Sequence, residues 1–201
     1  MIIQRDSYLN KLISRQNNGL IKIVTGVRRC GKSFLLFTLF HEYLISKGVD
    51  KEHIIEVALD DRSNKVLRDP DNMLAYVKER IKDKDIYYVI LDEIQLLDEF
   101  EDVLNSFLHI RNVDVYVTGS NSRFLSSDVI TEFRGRGDEI RVHPLSFREY
   151  TSVYQGSVDE AWEDYYTYGG LPLILNRNGD EEKSEYLISL FQKVYLTDGN
   201  L

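Results

Sequence analysis

The chain has 201 residues, 43% apolar and 29% charged, with a net charge of −8. That suffices for one domain with a substantial core, or one domain plus a small appendage. Three prolines and twelve glycines exclude collagen-like and low-complexity classes, and no apolar run approaches the ~18 residues that a membrane helix needs.

The N-terminus, MIIQRDSYLNKL, has no apolar segment of signal-peptide length. The acidic balance argues against non-specific nucleic-acid binding as the main task. Residues 1–40, however, hold seven Lys/Arg against one Asp, a basic block suited to a local anionic ligand. In chain order, Ile21–Thr25 (IKIVT) reads as a first strand and Lys32–Lys47 as a helix. His53–Leu59 reads as a second strand, Asp71–Ile81 as a helix and Tyr87–Leu91 (YYVIL) as a third strand. Phe100, Val103, Leu104, Phe107 and Leu108 form the stripe of an amphipathic helix. Val113–Thr118 and Glu139–His143 read as strands four and five, and Glu181–Tyr195 as a last helix. Alternation of this kind predicts an α/β fold: a parallel sheet covered on both faces, with its binding crevice at the carboxyl ends of the strands. The expected division is an α/β core over 1–145 and a small helical lid over 146–201.

The first strand runs directly into GVRRCGKS, Gly26 to Ser33, which matches G-x-x-x-x-G-K-[ST] between a strand and a helix. Gly26 and Gly31 let the backbone curl so that successive N–H groups point inward at phosphate oxygens. The following helix adds its positive end. Val27, Arg28, Arg29 and Cys30 complete the loop and Phe34 follows it. Lys32 is positioned to reach β- and γ-phosphates, and Ser33 to place its hydroxyl on Mg²⁺. Cys30, the single cysteine, cannot form an internal disulfide and points to a reducing cytoplasm. The histidines (His41, His53, His109, His143) and Cys30 lack zinc-ligand spacing, so no structural metal is expected.

The third strand ends in VILDEIQ. A buried strand thus delivers Asp92 and Glu93 to the crevice, Asp92 toward Mg²⁺ and Glu93 toward an attacking water; adjacent strand residues point to opposite faces, so the two take different roles. Strand four ends in VTGSNS, where Thr118, Ser120 or Asn121 can orient that water or touch the γ-phosphate, or serve as a helix cap. In FRGR, Arg134 and Arg136 flank a glycine and can present a cation to a terminal phosphate, from the same chain or a neighbour, or stand as solvated surface arginines.

GVRRCGKS, VILDEIQ, VTGSNS, FRGR, HPLSFREY and YGGLP occur here in that order. Together they resemble the AAA-like archaeal-type ATPases, P-loop ATPases of bacteria and archaea. The resemblance implies a five-stranded parallel sheet of order 5-1-4-3-2, ATP and ADP as ligands, Mg²⁺ as cofactor, and ATP hydrolysis coupled to a conformational output. It implies that Pro172, in GGLP, packs near the adenine, with Arg5 and Tyr8 nearby, and that a chain can complete its site by self-association. Family members usually continue into a further C-terminal domain, through which alone DNA contact is expected; this chain stops at Leu201. A nucleotide-gated switch with little turnover, and less favourably a phosphotransferase on a small acceptor, are the competing readings.

Overall fold

Five short runs rich in β-branched and aromatic residues supply the strands: β1 (Ile21–Thr25), β2 (Ile54–Ala58), β3 (Tyr87–Asp92), β4 (Val113–Thr118) and β5 (Gly137–Arg141). The computed structural model describes residues 2–119 and 135–192. The strands form one sheet of order β2-β3-β4-β1-β5, each neighbouring pair parallel. Read from the other edge, this is the 5-1-4-3-2 order that the resemblance implied. β1 and β3 are buried along their whole length, as central strands of a parallel sheet must be. At the β2 edge burial alternates: Ile55 and Val57 enter the core, whereas Glu56, on the other face, meets His41 Nδ1 at 3.0 Å.

α1 (Asp6–Ser14) precedes the sheet. The helix after β1 is not uniform as the sequence predicts. It starts as α2 (Lys32–Phe34), passes through a π-helical stretch (Leu35–Phe40) and continues as α3 (His41–Ser46). The π-helical stretch buries Leu35, Leu36, Leu39 and Phe40, and Phe40 packs on Tyr116 of β4 with ring centroids 4.6 Å apart. α4 (Pro70–Arg80) is opened by Asp69, which accepts from the Asn72 amide, and by Pro70 at the first position. α5 (Phe100–Leu108) buries Phe100, Val103, Leu104 and Phe107, the stripe read from the sequence. These join Ile23, Val57, Val89, Val115 and Val117 in the main core. Each such side chain contributes about 1.5–3 kcal/mol by leaving water.

The bounds of β2, β3 and α4 move by one residue from those expected, and two expectations shift by two residues. β5 runs two residues earlier than Glu139–His143, because its register with β1 pairs Gly137 with Ile21 and Asp138 with Lys22. Only Ile140 of this edge strand is buried, so local hydrophobicity gave no guide to its bounds. The last helix, α8, spans Gly179–Phe191 rather than starting at Glu181; the expected end at Tyr195 lies outside the described residues.

Contacts divide the chain into two compact units. One holds Asp6–Gly26 and Lys32–Arg141, and therefore the sheet. The other holds Met1–Arg5, Val27–Gly31 and Val142–Leu201. Its helices are α6 (Phe147–Thr151), α7 (Val158–Tyr168) and α8. Ser146 with Glu149, and Ser157 with Glu160, form reciprocal capping boxes at the starts of α6 and α7. Ile3, Leu145, Tyr150 and Ala161 form this unit's own small core. Among the described residues no helix is long and apolar enough to cross a membrane.

Candidate functional site

The turn after β1 departs from ordinary backbone at three points: Gly26 at φ 143°, Arg29 at φ 65° and Gly31 at φ 100°. The two glycines occupy conformations that a Cβ disfavours, which is what a loop curling its amides inward requires. Val27, Arg28 and Arg29 are exposed, Cys30 and Lys32 are buried, and Ser33 and Phe34 are half-buried. Lys32 Nζ donates to the Gly26 carbonyl at 3.0 Å, so the lysine folds back over the start of its own loop.

Three adjacent strands deliver the rest at their carboxyl ends. Ser33 Oγ donates to Asp92 Oδ1 at 3.0 Å. Thr118 Oγ1 donates to the same carboxylate oxygen, and in turn accepts from the Glu93 amide at 3.1 Å. Ser33, Asp92, Glu93 and Thr118 are thus one hydrogen-bonded group. Burial pushes the Asp92 carboxyl above its ordinary range; the Thr118 and Ser33 hydrogen bonds oppose this, and the nearby Glu93 and Asp60 charges add to it. Ser33 and Asp92 offer hard oxygen atoms, the donor type that suits Mg²⁺ rather than a softer metal.

Glu93 is held in the left-handed region at φ 54°, ψ 51°, a conformation that costs a non-glycine residue about 1–3 kcal/mol. Its carboxylate accepts from Gln95 Nε2. The other amide atom, Gln95 Oε1, is buried with no hydrogen-bond partner among the described residues. Sequence reasoning assigned Gln95 no role, although it closes the VILDEIQ run.

In the other unit, Arg5 is almost fully buried and its guanidinium is shared among three protein groups. It donates to the Cys30 carbonyl at 3.1 Å and the His143 carbonyl at 2.7 Å, and pairs with Glu149 at 2.8 Å. Arg5 therefore ties loop residue Cys30 to the start of α6, a positioning task the sequence did not disclose. Cys30 Sγ lies 3.5 Å from the Val142 carbonyl. Pro172 is half-buried and opens a 3₁₀ turn, Pro172–Asn176.

Among the described candidates, Arg136 is not brought to this group. Arg136 directly precedes β5, at the amino-terminal edge of the sheet: its carbonyl accepts from the Ile21 amide at 2.8 Å. Its guanidinium donates to Asn105 at 2.9 Å. It therefore sits at the end of β1 opposite Gly26. Ser120, Asn121 and Arg134 lie outside the described residues. Elsewhere His53, Asp83 and Asp85 converge within 4.8 Å, but the Asp83 carboxylate is taken up by His53 at 3.1 Å and the Asp85 amide at 2.9 Å.

A sequence profile described as an AAA domain matches residues 18–151. An uncharacterised protein of Haemophilus influenzae is 30% identical over 204 residues, 98% of this chain and 50% of that protein. An uncharacterised protein of Methanocaldococcus jannaschii is 26% identical over 214 residues, 98% of this chain and 44% of that protein. The chain therefore spans about half the length of these curated relatives. Among solved structures, C. elegans PCH-2 is similar with a TM-score of 0.57 at 14% identity, covering 94% of this chain and 66% of that one. The Aeropyrum pernix ORC1 protein in complex with DNA gives a TM-score of 0.53 at 14% identity, covering 98% and 61%. At such identities the likeness shows the fold.

Proposed function

Because the chain belongs to the AAA domain family, we propose that it is a Mg²⁺-dependent module that binds ATP and hydrolyses it to ADP and phosphate. The observation that supports this best is the group at the carboxyl ends of β1, β3 and β4, where the Ser33 hydroxyl and the buried Asp92 carboxylate meet beside the curled loop. The residues suit the ion: their oxygens are hard donors, and a divalent cation would offset the charge that burial disfavours on Asp92. Bound Mg²⁺ supplies neutralisation of phosphate charge.

The chain's own groups do the rest. Loop amides of Gly26–Ser33 donate to phosphate oxygens, and the Lys32 ammonium exchanges its Gly26 carbonyl for the β- and γ-phosphates. Glu93 accepts a proton from water as the water oxygen bonds to the γ-phosphorus and the bridging P–O bond to ADP breaks. Thr118 fixes the backbone of Glu93 through its hydroxyl. From the resemblance we assign water positioning to Asn121 or Ser120 and adenine contact to Pro172. The terminal-phosphate cation we assign to Arg134, or to Arg136 supplied by a second copy on self-association. Residues 146–201 serve as the helical lid that carries nucleotide state outward. No DNA contact is assigned to these 201 residues.

A second reading, a nucleotide-gated switch with little turnover, is favoured by one contact: Gln95 occupies the carboxylate of Glu93. Phosphate release at saturating Mg-ATP separates the two. The hydrolytic reading expects multiple turnovers by wild type, and Glu93→Gln that binds ATP but turns over about 10²–10⁴ times more slowly. Wild type that binds but never turns over supports the switch. Undiminished release by Glu93→Gln removes that residue from the base role.

A further inference from the structure

The outer face of α7 carries large aromatic side chains where a helix usually presents polar ones. Val158, Trp162 and Tyr166 recur at four-residue spacing and are 66%, 53% and 81% exposed. They form one stripe along the helix. Its two rings lie next to one another, and that of Trp162 next to Phe147. Trp162 stands edge-on against Phe147 with ring centroids 5.1 Å apart, and Tyr166 lies beside it at 6.3 Å with its plane tilted by 31°.

Charge says what such a face would accept. Asp159 and Glu163 are exposed beside the aromatic stripe, and neither makes an ion pair among the described residues. Residues 142–192 contain nine Asp/Glu against three Lys/Arg. The other acids near this face are already engaged: Glu160 in the α7 cap, Asp164 with Lys183 at 2.6 Å. Exposed aromatic rings flanked by unpaired carboxylates favour guanidinium groups, which stack on the rings and hydrogen-bond to the acids. They disfavour nucleic acid.

The spacing narrows the partner further. In an extended peptide, alternate side chains share a face about 6.6–6.8 Å apart. The two ring centres are 6.3 Å apart. We propose that the outer face of α7 is a docking surface for an arginine-rich extended segment of another polypeptide, with arginines two residues apart stacked on Trp162 and Tyr166 and flanked by Asp159 and Glu163.

Trp162 is the single tryptophan of the chain and so reports on its own face. The test titrates the full chain, in buffer of physiological ionic strength, with a ten-residue peptide of alternating arginine and serine, following Trp162 emission. The proposal expects a saturable change. It expects Tyr166→Ser, which leaves net charge untouched, to weaken binding about two- to fivefold, and Asp159→Asn with Glu163→Gln to weaken it again. The lysine–serine peptide should bind less tightly than the arginine peptide. Circular dichroism confirms that these surface variants keep their helix. Unsaturable or absent response overturns the proposal. So does equal affinity of wild type and Tyr166→Ser, which would reduce the effect to general attraction between a polycation and an acidic protein. Sedimentation showing a dimer that Trp162→Ser dissolves would give the face to a second copy instead, and also overturns it.

Discussion

The two ends of the sheet's three central strands, β3, β4 and β1, both bury charge, and they resolve it in opposite ways. At the amino-terminal end Lys22 is inaccessible to solvent, and its ammonium donates to Asp114 Oδ1 and to the Leu20 carbonyl at 2.8 Å. The second Asp114 oxygen accepts from Tyr116 at 2.7 Å and the Asn17 amide at 3.0 Å. Burial lowers the Lys22 pKa, and Asp114 pulls it back up. Cation and anion answer each other, and the network closes. At the carboxyl-terminal end Asp92 is just as hidden but receives only two hydroxyls, and no cation pairs with it among the described residues. Its neighbouring charges, Glu93 and Asp60, have its own sign. A buried charge with its counter-charge is architecture; a buried charge without one, next to a glutamate held in the left-handed region, is what the proposed Mg²⁺ and nucleotide site rests on.

That contrast can be broken at either end. The largest effect is expected at the closed network. Asp114→Ala strands the Lys22 ammonium and should cost about 3–5 kcal/mol of stability in denaturant unfolding, while the folded variant keeps wild-type nucleotide affinity. A loss below 1 kcal/mol would show that the pair is not the counter-charge it looks like. At the open end, Gln95→Ala should slow turnover about two- to tenfold, the worth of one hydrogen bond, with ATP affinity unchanged. An accelerated rate would mean that Gln95 restrains Glu93 rather than orienting it.

The smallest effect concerns pH. The Asp92 carboxyl is raised in the fold, so between its ordinary value and its raised value the folded state binds more protons than the unfolded one. Stability without nucleotide or metal should therefore fall as pH rises through that window. Asp92→Asn should flatten this slope and gain stability above it. An unchanged slope would show that Asp92 is not the group that burial penalises.

Much of this was legible in the sequence because local patterns carried it. The bounds of β1 and β4 and the α5 stripe emerged as read, since strand runs and a 3.6-residue period are local signals. The glycine spacing placed the loop, and a strand ending in Asp92-Glu93 placed the acids. What escaped was set by partners distant in sequence. The bounds of β5 follow its register with β1, not its own hydrophobicity. Arg5 reaches Cys30 and Glu149 across 25 and 144 positions. The Gln95 contact depends on the left-handed turn at Glu93, which no residue preference announces. The FRGR motif puts Arg136 forward as a terminal-phosphate cation because it flanks a loop glycine, yet the parallel pairing of β5 with β1 holds Arg136 at the amino-terminal edge of the sheet.

The most direct test of the central claim is calorimetric titration of the chain with Mg-ATP, in parallel with ATP in excess chelator and with Lys32→Ala. The account predicts one saturable site per chain, weakened by removal of the metal and by about ten- to hundredfold in Lys32→Ala, the worth of a charged hydrogen bond. Absence of any binding heat across temperatures and concentrations, or equal affinity in the presence and absence of both Mg²⁺ and the Lys32 ammonium, would contradict it.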